Sequence, residues 1–157
     1  VFQAFNLVPT LDALDNIRLP FELYGRRPTA EEAERIEAIV ESLGLGERLR
    51  HRPHQLSGGQ QQRVAIARAL ATQPDLVFAD EPTGNLDSRS GREVLALLAA
   101  AVRDRGQTIA MVTHDPVAAS HADRVVFLAD GRIAADKPRQ SAEQIAAHML
   151  AADQVAA

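Results

Sequence analysis

The sequence predicts an α/β fold in which strands of a parallel sheet are joined to a largely helical region. Residues 10–73 carry apolar side chains mostly at helical spacing. Two later segments, LVFAD (76–80) and TIAMVT (108–113), are short apolar runs typical of strands buried on both faces. A long amphipathic segment lies between them, so the order of strand, helix and strand predicts a right-handed βαβ unit.

The composition is that of one globular domain, with 157 residues, 46% of them hydrophobic and 24% charged. The formal net charge of −4 offers no positive field for nucleic acid or for an anionic membrane surface. Cysteine is absent, which excludes a disulfide framework and thiolate chemistry. The longest apolar run, residues 94–102, falls well short of the roughly 18 residues that span a bilayer.

The first 44 residues of the chain are predicted to contain two helices. Apolar residues at helical spacing within 11–17 predict a short helix that Pro20 stops. A second helix is predicted to begin at a capping box formed by Thr29 and Glu32, and to end at Gly44. Its apolar stripe comprises Ala33, Ile36, Ile39, Val40 and Leu43.

Two further helices flank the first strand. The segment SGGQQQRVAIARALA (57–71) predicts a helix that two glycines open and that ends before Pro74. A longer helix is predicted from about Ser88 to Arg105, with Gly106 at its C-cap. The residues predicted to face inward are Val64, Ala67 and Leu70 in the first of these helices and Val94, Leu95, Leu98 and Val102 in the second.

The last part of the chain is predicted to form a hairpin and a helix. Asp130-Gly131 is a typical two-residue hairpin turn between two short strands. Ser141 and Gln144 then predict the start of a final helix that continues to about Leu150.

A first candidate site is the segment Leu56-Ser57-Gly58-Gly59-Gln60 at the start of a helix. Open backbone N–H groups at a helix N-terminus, together with a serine hydroxyl, are suited to binding a phosphate oxygen. The same residues are also ordinary turn chemistry, so a plain helix start is the alternative.

A second candidate site lies at the carboxyl ends of the predicted strands, where Asp80, Glu81 and His114 fall. One carboxylate could hold Mg²⁺ while the other acts as general base, although solvated carboxylates at a strand end are the alternative. His114 could orient a water or contact a phosphoryl oxygen, or it could be a loop residue before an Asp115 N-cap. Asp87 is most simply a turn or cap residue.

Taken in order, the segments resemble one family along nearly the whole chain. That family is the ATP-binding-cassette (ABC) ATPases. Gln3 is similar to the glutamine of its Q-loop, LSGGQQQRVAIARAL (56–70) to its signature motif and LVFADEP (76–82) to its Walker B strand. GNLD (84–87) is similar to its D-loop and His114 to its switch histidine. Two segments, ADEPTGNLDS and FQAFNLVPTLDALDNI, most resemble the lipoprotein-release, macrolide-export and cell-division branch of these ATPases. The implied fold is a truncated parallel sheet of the P-loop NTPase type with a helical signature subdomain.

The resemblance implies a role for each matched residue at the hydrolysis site. Asp80 would hold Mg²⁺, Glu81 would polarise the attacking water, and His114 would contact the γ-phosphate of ATP. Gln3 would sense the metal and the nucleotide and link them to a membrane partner.

It also implies a head-to-tail dimer, in which the signature of one subunit covers the nucleotide bound to the other. Ser57, Gly58, Gly59 and Gln60 would therefore bind nucleotide in trans, with Asp87 across the dimer interface. The predicted regions are a helical signature subdomain (10–73), part of the catalytic α/β core (74–135) and a C-terminal helix (136–157).

One element of the family is missing from the 157 residues, namely the phosphate loop G-x-x-x-x-G-K-[ST], and the only lysine is Lys137. In the family that loop precedes the glutamine matched by Gln3, and the chain begins at Val1 rather than at methionine. We expect the chain to be the C-terminal part of a longer cassette that binds ATP weakly or not at all by itself. We also expect its incomplete sheet to expose an apolar edge that promotes association.

The implied partners are ATP, a second nucleotide-binding subunit and a membrane-embedded permease, with no nucleic acid. The implied location is cytoplasmic, at the inner face of the cell membrane through the permease. An alternative is a non-hydrolysing interaction module that donates its signature to a complete ATPase. A soluble ABC ATPase of DNA repair or translation is disfavoured, because the interval from Gln3 to Leu56 has no room for a long coiled-coil insertion.

Overall fold

A computed structural model describes residues 1–155 and the side chains of residues 1–151. The chain forms two compact units, Val1–Met111 and a second that begins at Val112. The predicted division at residues 73 and 135 remains a prediction. The elements in chain order are α1 (Ala13–Leu23), α2 (Ala30–Ser42), α3 (Gly58–Leu70), β1 (Leu76–Asp80), α4 (Ser88–Arg105), β2 (Thr108–Val112), α5 (Pro116–Ala119), β3 (Arg124–Ala129), β4 (Arg132–Pro138) and α6 (Ala142–Val155), with short 3₁₀ turns at Gly46–Arg48 and Pro53–Gln55.

The predicted fold class is confirmed. Strands β1 and β2 are neighbours in a parallel sheet and are connected through α4. Phe2 adds a parallel bridge to Asp80 at the end of β1. Helices α1, α2 and α4 all pack against α3, which is therefore the central helix of the first unit.

The prediction that Pro20 stops the first helix is wrong, because α1 continues through Pro20 to Leu23. Proline lacks the N–H that would bond to the carbonyl of Asn16, but the turn that follows is anchored by Phe21, whose side chain is fully buried. The side chain of Asn16 is buried as well, and its amide donates to the carbonyls of Val8, Leu11 and Asp12. Burial of both side chains keeps this helix intact past the proline.

The other helix boundaries agree closely with the sequence. Thr29 and Glu32 form the predicted capping box of α2, and Gly44 follows that helix with φ +63°. Helix α4 covers the predicted residues and ends at Gly106, which has φ +65°. Helix α6 begins after Ser141 as predicted but extends beyond Leu150 to Val155.

Both strands of the first sheet depart from the predicted burial on two faces. Along β1 the side chains alternate, with Val77 and Ala79 buried while Leu76 and Phe78 are 41% and 66% exposed. No residue of β2 is fully buried. Within the part of the chain that the structure describes, the helices cover only one face of β1, so its second apolar face is accessible.

The core of the first unit lies among its helices. Its fully buried side chains include those of Ile17, Phe21, Ile36, Ile39, Leu45, Val64, Ile66 and Val94.

The second unit contains the predicted hairpin. Strands β3 and β4 pair antiparallel, with Ala129 opposite Arg132, and the intervening Asp130 and Gly131 have φ +48° and +71°. These two positive values belong to the turn that best matches the strand twist. Helix α5 packs on α6 in the same unit, with Ala118 and Ile145 buried.

Candidate functional site

The first part of the candidate site is the N-terminus of α3, where Ser57 is the N-cap. The Ser57 hydroxyl accepts a hydrogen bond from the Gln60 backbone N–H at 3.3 Å, and the Ser57 N–H donates to Gln60 Oε1 at 3.0 Å. This reciprocal capping box supports the plain helix start that the sequence allowed. Since the same N-terminus carries the positive end of the helix dipole, it also remains suited to an anion.

The two glycines of this turn let other parts of the first unit approach the helix closely. A Cβ built on Gly58 would lie 3.5 Å from Leu86 Cδ2 and 3.6 Å from Phe5 Cζ. A Cβ built on Gly59 would lie only 3.1 Å from both Cβ and Oγ of Ser90. The start of α3 therefore contacts the start of α4 and the loop before it.

The start of α4 is organised by Asp87, which is its N-cap as the simpler interpretation of the sequence predicted. Its Oδ1 accepts from the backbone N–H groups of Arg89 and Ser90, each at 3.0 Å, and its Oδ2 accepts from the Ser90 hydroxyl at 2.7 Å. The bonds from the Ser90 backbone and hydroxyl hold the pKa of Asp87 below its ordinary value. Asp87 is therefore a charged group that holds Ser90, the residue that lies against Gly59.

The second part of the site lies at the end of β1. Asp80 is the last residue of the strand and its side chain is exposed. Glu81 follows with φ +43°, a left-handed conformation that is costly for a residue with a Cβ. The chain then turns, and the Gly84 N–H donates to the Glu81 carbonyl at 3.1 Å. Such backbone strain is typical of functional sites.

Gln3 lies at the same end of β1, because Phe2 pairs with Asp80. Its Nε2 donates to Asn85 Oδ1 at 3.3 Å, and Asn85 Nδ2 donates to the Gln3 carbonyl at 3.0 Å. A Cβ on Gly84 would lie 2.7 Å from Gln3 Nε2, so the glutamine amide rests on the glycine backbone. Gln3 thus contacts the loop that follows Glu81.

Eight of the predicted site residues belong to the first unit and form two groups, which the loop 82–86 connects. Gln3, Asp80 and Glu81 lie at the end of β1. The other five lie at the starts of α3 and α4, namely Ser57, Gly58, Gly59, Gln60 and Asp87. His114 belongs to the second unit and follows β2 by two residues. Asp115 caps α5 there, as predicted.

Two contacts in the first unit involve residues that sequence reasoning did not select. The buried Gln62 donates from Nε2 to the Pro82 carbonyl at 2.6 Å. The Arg68 guanidinium donates to the carbonyls of Asn6 at 2.7 Å and Phe5 at 3.0 Å, and its burial lowers its pKa. The sequence signal available for Gln62 was its polar side chain at a position on the buried face of α3, between Gly59 and Ile66.

The exposed carboxylate of Asp80 has the chemistry to bind a hard cation. Among the described residues no group of three or more His, Cys, Asp or Glu side chains could hold a metal ion. A site with one or two carboxylates fits Mg²⁺, which usually keeps waters and takes further oxygen ligands from substrate phosphates. In the same described residues, no helix has the length and apolar character needed to cross a bilayer.

Comparison with known proteins gives a consistent result. Residues 1–84 match the family model described as "ABC transporter". The chain is 51% identical over 133 residues to "Uncharacterized ABC transporter ATP-binding protein MJ1508" of Methanocaldococcus jannaschii, covering 85% of this chain and 58% of that protein. It is 48% identical over 147 residues to "Macrolide export ATP-binding/permease protein MacB" of Shewanella sp. (strain ANA-3), covering 94% of this chain and 22% of that protein.

Among solved structures, the chain is similar to the ATP-binding cassette MJ0796 in a dimeric post-hydrolysis state bound to ADP and Pi. The TM-score is 0.72 with 39% identity, over 89% of this chain and 62% of the cassette. The chain therefore spans somewhat over half the length of MJ1508 and of the MJ0796 chain, and 22% of MacB.

Proposed function

The chain belongs to the ABC transporter family, and we propose that it is part of a nucleotide-binding subunit that hydrolyses ATP to drive a membrane transporter. The observation that carries this proposal is the arrangement at the end of β1. There, two adjacent carboxylates and the amide of Gln3 lie beside a strained turn. Phosphoryl transfer to water requires little more of a protein than positioned charges and an oriented water.

Asp80 and Glu81 have different tasks in the proposed reaction. Asp80 holds Mg²⁺, which supplies charge neutralisation at the phosphates when bound. Glu81 accepts a hydrogen bond from the attacking water and takes its proton as the water oxygen bonds to the γ-phosphorus. The bond from that phosphorus to the bridging oxygen breaks, giving ADP and phosphate. By the family resemblance, Gln3 would sense the metal and the nucleotide through its side-chain amide, and His114 would contact the γ-phosphate.

The N-terminus of α3 acts on a second nucleotide in the proposed dimer. Ser57, Gly58, Gly59 and Gln60 present the positive end of the helix to the γ-phosphate held by the opposite subunit. Asp87, which holds the Ser90 side chain against Gly59, lies across the subunit interface. Ser57 lies at the start of α3, whereas Asp80 and Glu81 lie at the end of β1. This placement on different elements supports their action on different nucleotides.

The chain covers only part of the length of its matched relatives, so the partners of the whole protein are proposed from those relatives. MacB is named as an ATP-binding/permease protein, and the MJ0796 cassette is described as dimeric. We extend both features to the protein that contains this chain: a second nucleotide-binding subunit and a permease partner. Its location would then be the cytoplasmic face of the membrane, through contact with the permease.

The test is Mg-ATP binding by isothermal titration to the 157-residue chain and to a chain extended upstream of Val1, where the family resemblance places the phosphate loop. We expect the extended chain alone to bind tightly. Asp80→Asn in the extended chain should weaken the Mg²⁺-dependent part of binding about tenfold or more.

The matched control is Asp75→Asn, since Asp75 is an exposed aspartate at the opposite end of β1. It should leave Mg-ATP binding unchanged. The proposal is contradicted if the extension does not produce Mg-ATP binding, or if the two substitutions have equal effects.

A further inference from the structure

Gln62 is a fully buried polar residue of α3, and its side chain connects this helix to the loop that follows β1. It lies on the turn that follows Gly59, and its exposed fraction is 0%. Its Nε2 donates to the carbonyl of Pro82, 20 residues further along the chain, at 2.6 Å. A buried amide at this distance from a carbonyl forms a strong and strictly oriented bond.

The orientation of the Gln62 amide follows from its partner. A carbonyl oxygen only accepts, so the nitrogen of the amide must face Pro82. Within the described residues, Gln62 Oε1 accepts no hydrogen bond. Burying an amide oxygen without a partner is costly, so the glutamine is a poor choice for stability alone.

Pro82 is the residue directly after Glu81, and its side chain is also fully buried. Proline has a fixed φ and restricts the residue before it, yet Glu81 adopts φ +43°. Holding the Pro82 carbonyl fixes the peptide between Pro82 and Thr83, and together with the fixed φ of the buried proline this limits the backbone directly after the strained Glu81. This constrains where the Glu81 carboxylate can point.

We propose that Gln62 is a positioning residue for Glu81, which it holds in its strained conformation through the Pro82 carbonyl. The inference rests on the proposed function, because it takes Glu81 as the group that acts on water. Gln62 also lies on the helix whose N-terminus is proposed to meet the opposite subunit's nucleotide. A small movement of that helix would therefore displace the carboxylate loop of its own chain.

The chain offers a closely matched control residue. Gln107 is 9% exposed, and its Nε2 donates to the carbonyl of Pro74 at 2.9 Å and to that of Thr108 at 3.1 Å. Pro74 precedes β1, whereas Pro82 follows it. The substitutions Gln62→Met and Gln107→Met therefore remove the same kind of bond from opposite ends of one strand.

The first experiment measures steady-state ATP hydrolysis by the N-terminally extended chain. We expect Gln62→Met to lower kcat about tenfold or more with KM for ATP within about twofold, because binding groups are retained and the base is displaced. Gln107→Met should change kcat less than about twofold. Equal kcat values for the two variants overturn the positioning role, while an inactive extended wild type overturns the proposed function itself.

The second experiment needs no activity and uses the 157-residue chain. Amide hydrogen exchange by NMR is compared at Gly84 and Leu86, whose N–H groups donate to the Glu81 and Thr83 carbonyls. We expect Gln62→Met to speed exchange at both about tenfold while Gln107→Met does not. Unchanged exchange in Gln62→Met contradicts the inference even if ATP hydrolysis is lost.

Discussion

At the scale of single residues, three helices of this protein start with the same chemistry. The hydroxyls of Thr29, Ser57 and Ser141 each accept a hydrogen bond from the backbone N–H three residues later. The side chain at that later position accepts a hydrogen bond from the backbone N–H of the capping residue. Two of these accepting side chains are glutamine amides, while the third is the carboxylate of Glu32. Among these three side chains at the third helical position, only Glu32 titrates.

The first prediction concerns Glu32. The Arg26 guanidinium, at 2.6 and 2.7 Å from the carboxylate oxygens, and the Thr29 N–H lower the pKa of Glu32 from 4.5 to about 2. Because the folded pKa is lowered, this stabilisation is fully present above pH 4.5 and is lost as the pH falls toward about 2. An NMR titration of the carboxyl carbon should show a midpoint near 2.

The control for this titration is Arg26→Gln, which removes the largest cause of the shift. The pKa of Glu32 should then move back toward 4.5. A wild-type midpoint close to 4.5 would show that the ion pair does not persist in solution.

The second prediction compares the two glycines of α3. Gly59→Ala brings a Cβ within 3.1 Å of Ser90, whose side chain is fixed by Asp87 and cannot move aside. We expect a loss of about 1–2 kcal/mol in the free energy of unfolding, measured with urea. Gly58→Ala makes ordinary contacts only, and should be neutral or stabilising by up to about 1 kcal/mol. Equal effects would contradict the close approach of α3 and α4.

The caps were predictable because each involves residues three positions apart. The bond from Gln62 to Pro82 was not, because it joins residues 20 positions apart. The left-handed conformation of Glu81 also depends on tertiary contacts, since glutamate has no local preference for positive φ.

At the scale of elements, α3 connects most of the candidate site. Arg63 forms an ion pair with Glu93 of α4 at 2.5 Å and donates to the Leu43 carbonyl after α2. Arg68 holds the turn formed by Phe5 and Asn6, both of which have positive φ. Helix α3 therefore supports the segment that carries Gln3 as well as its own N-terminus.

The third prediction tests this support. Arg68→Met removes two charged hydrogen bonds from the left-handed turn, so we expect a loss of about 1.5–3 kcal/mol in the free energy of unfolding. Arg103→Met is the control, because the ion pair of Arg103 with Asp104 is exposed, and should cost less than about 0.5 kcal/mol. Equal urea midpoints for the two variants would contradict the stabilisation of the Phe5–Asn6 turn by Arg68.

Element boundaries followed from the sequence where caps or glycines mark them. The end of α1 did not, because the packing of Phe21 outweighs the local effect of Pro20. The burial of β1 and β2 was also predicted wrongly. An apolar run indicates that both faces of a strand can pack against other elements. The elements present in the chain decide which of the two faces is covered.

At the scale of the whole molecule, the first unit leaves one apolar face of β1 exposed. Phe78 is 66% exposed and Val77, on the opposite face, is 4% exposed. Exposed aromatic residues on a sheet promote contact between molecules.

The fourth prediction concerns this face. Phe78→Ser should reduce concentration-dependent association in sedimentation velocity and change the free energy of unfolding by less than about 0.5 kcal/mol. Val77→Ser, on the covered face, should cost about 2 kcal/mol or more. If Phe78→Ser destabilises the chain as much as Val77→Ser, then Phe78 is covered in solution.

The central claim is that the N-terminus of α3 and the carboxylates of Asp80 and Glu81, at the end of β1, act on different nucleotides of a symmetric dimer. The most direct test mixes two inactive variants of the extended chain, Ser57→Arg and Glu81→Gln, and measures ATP hydrolysis. Each mixed dimer then contains one composite site without a substitution, so an equimolar mixture should recover about a quarter of the wild-type rate. A mixture that stays inactive would show that Ser57 and Glu81 serve the same nucleotide.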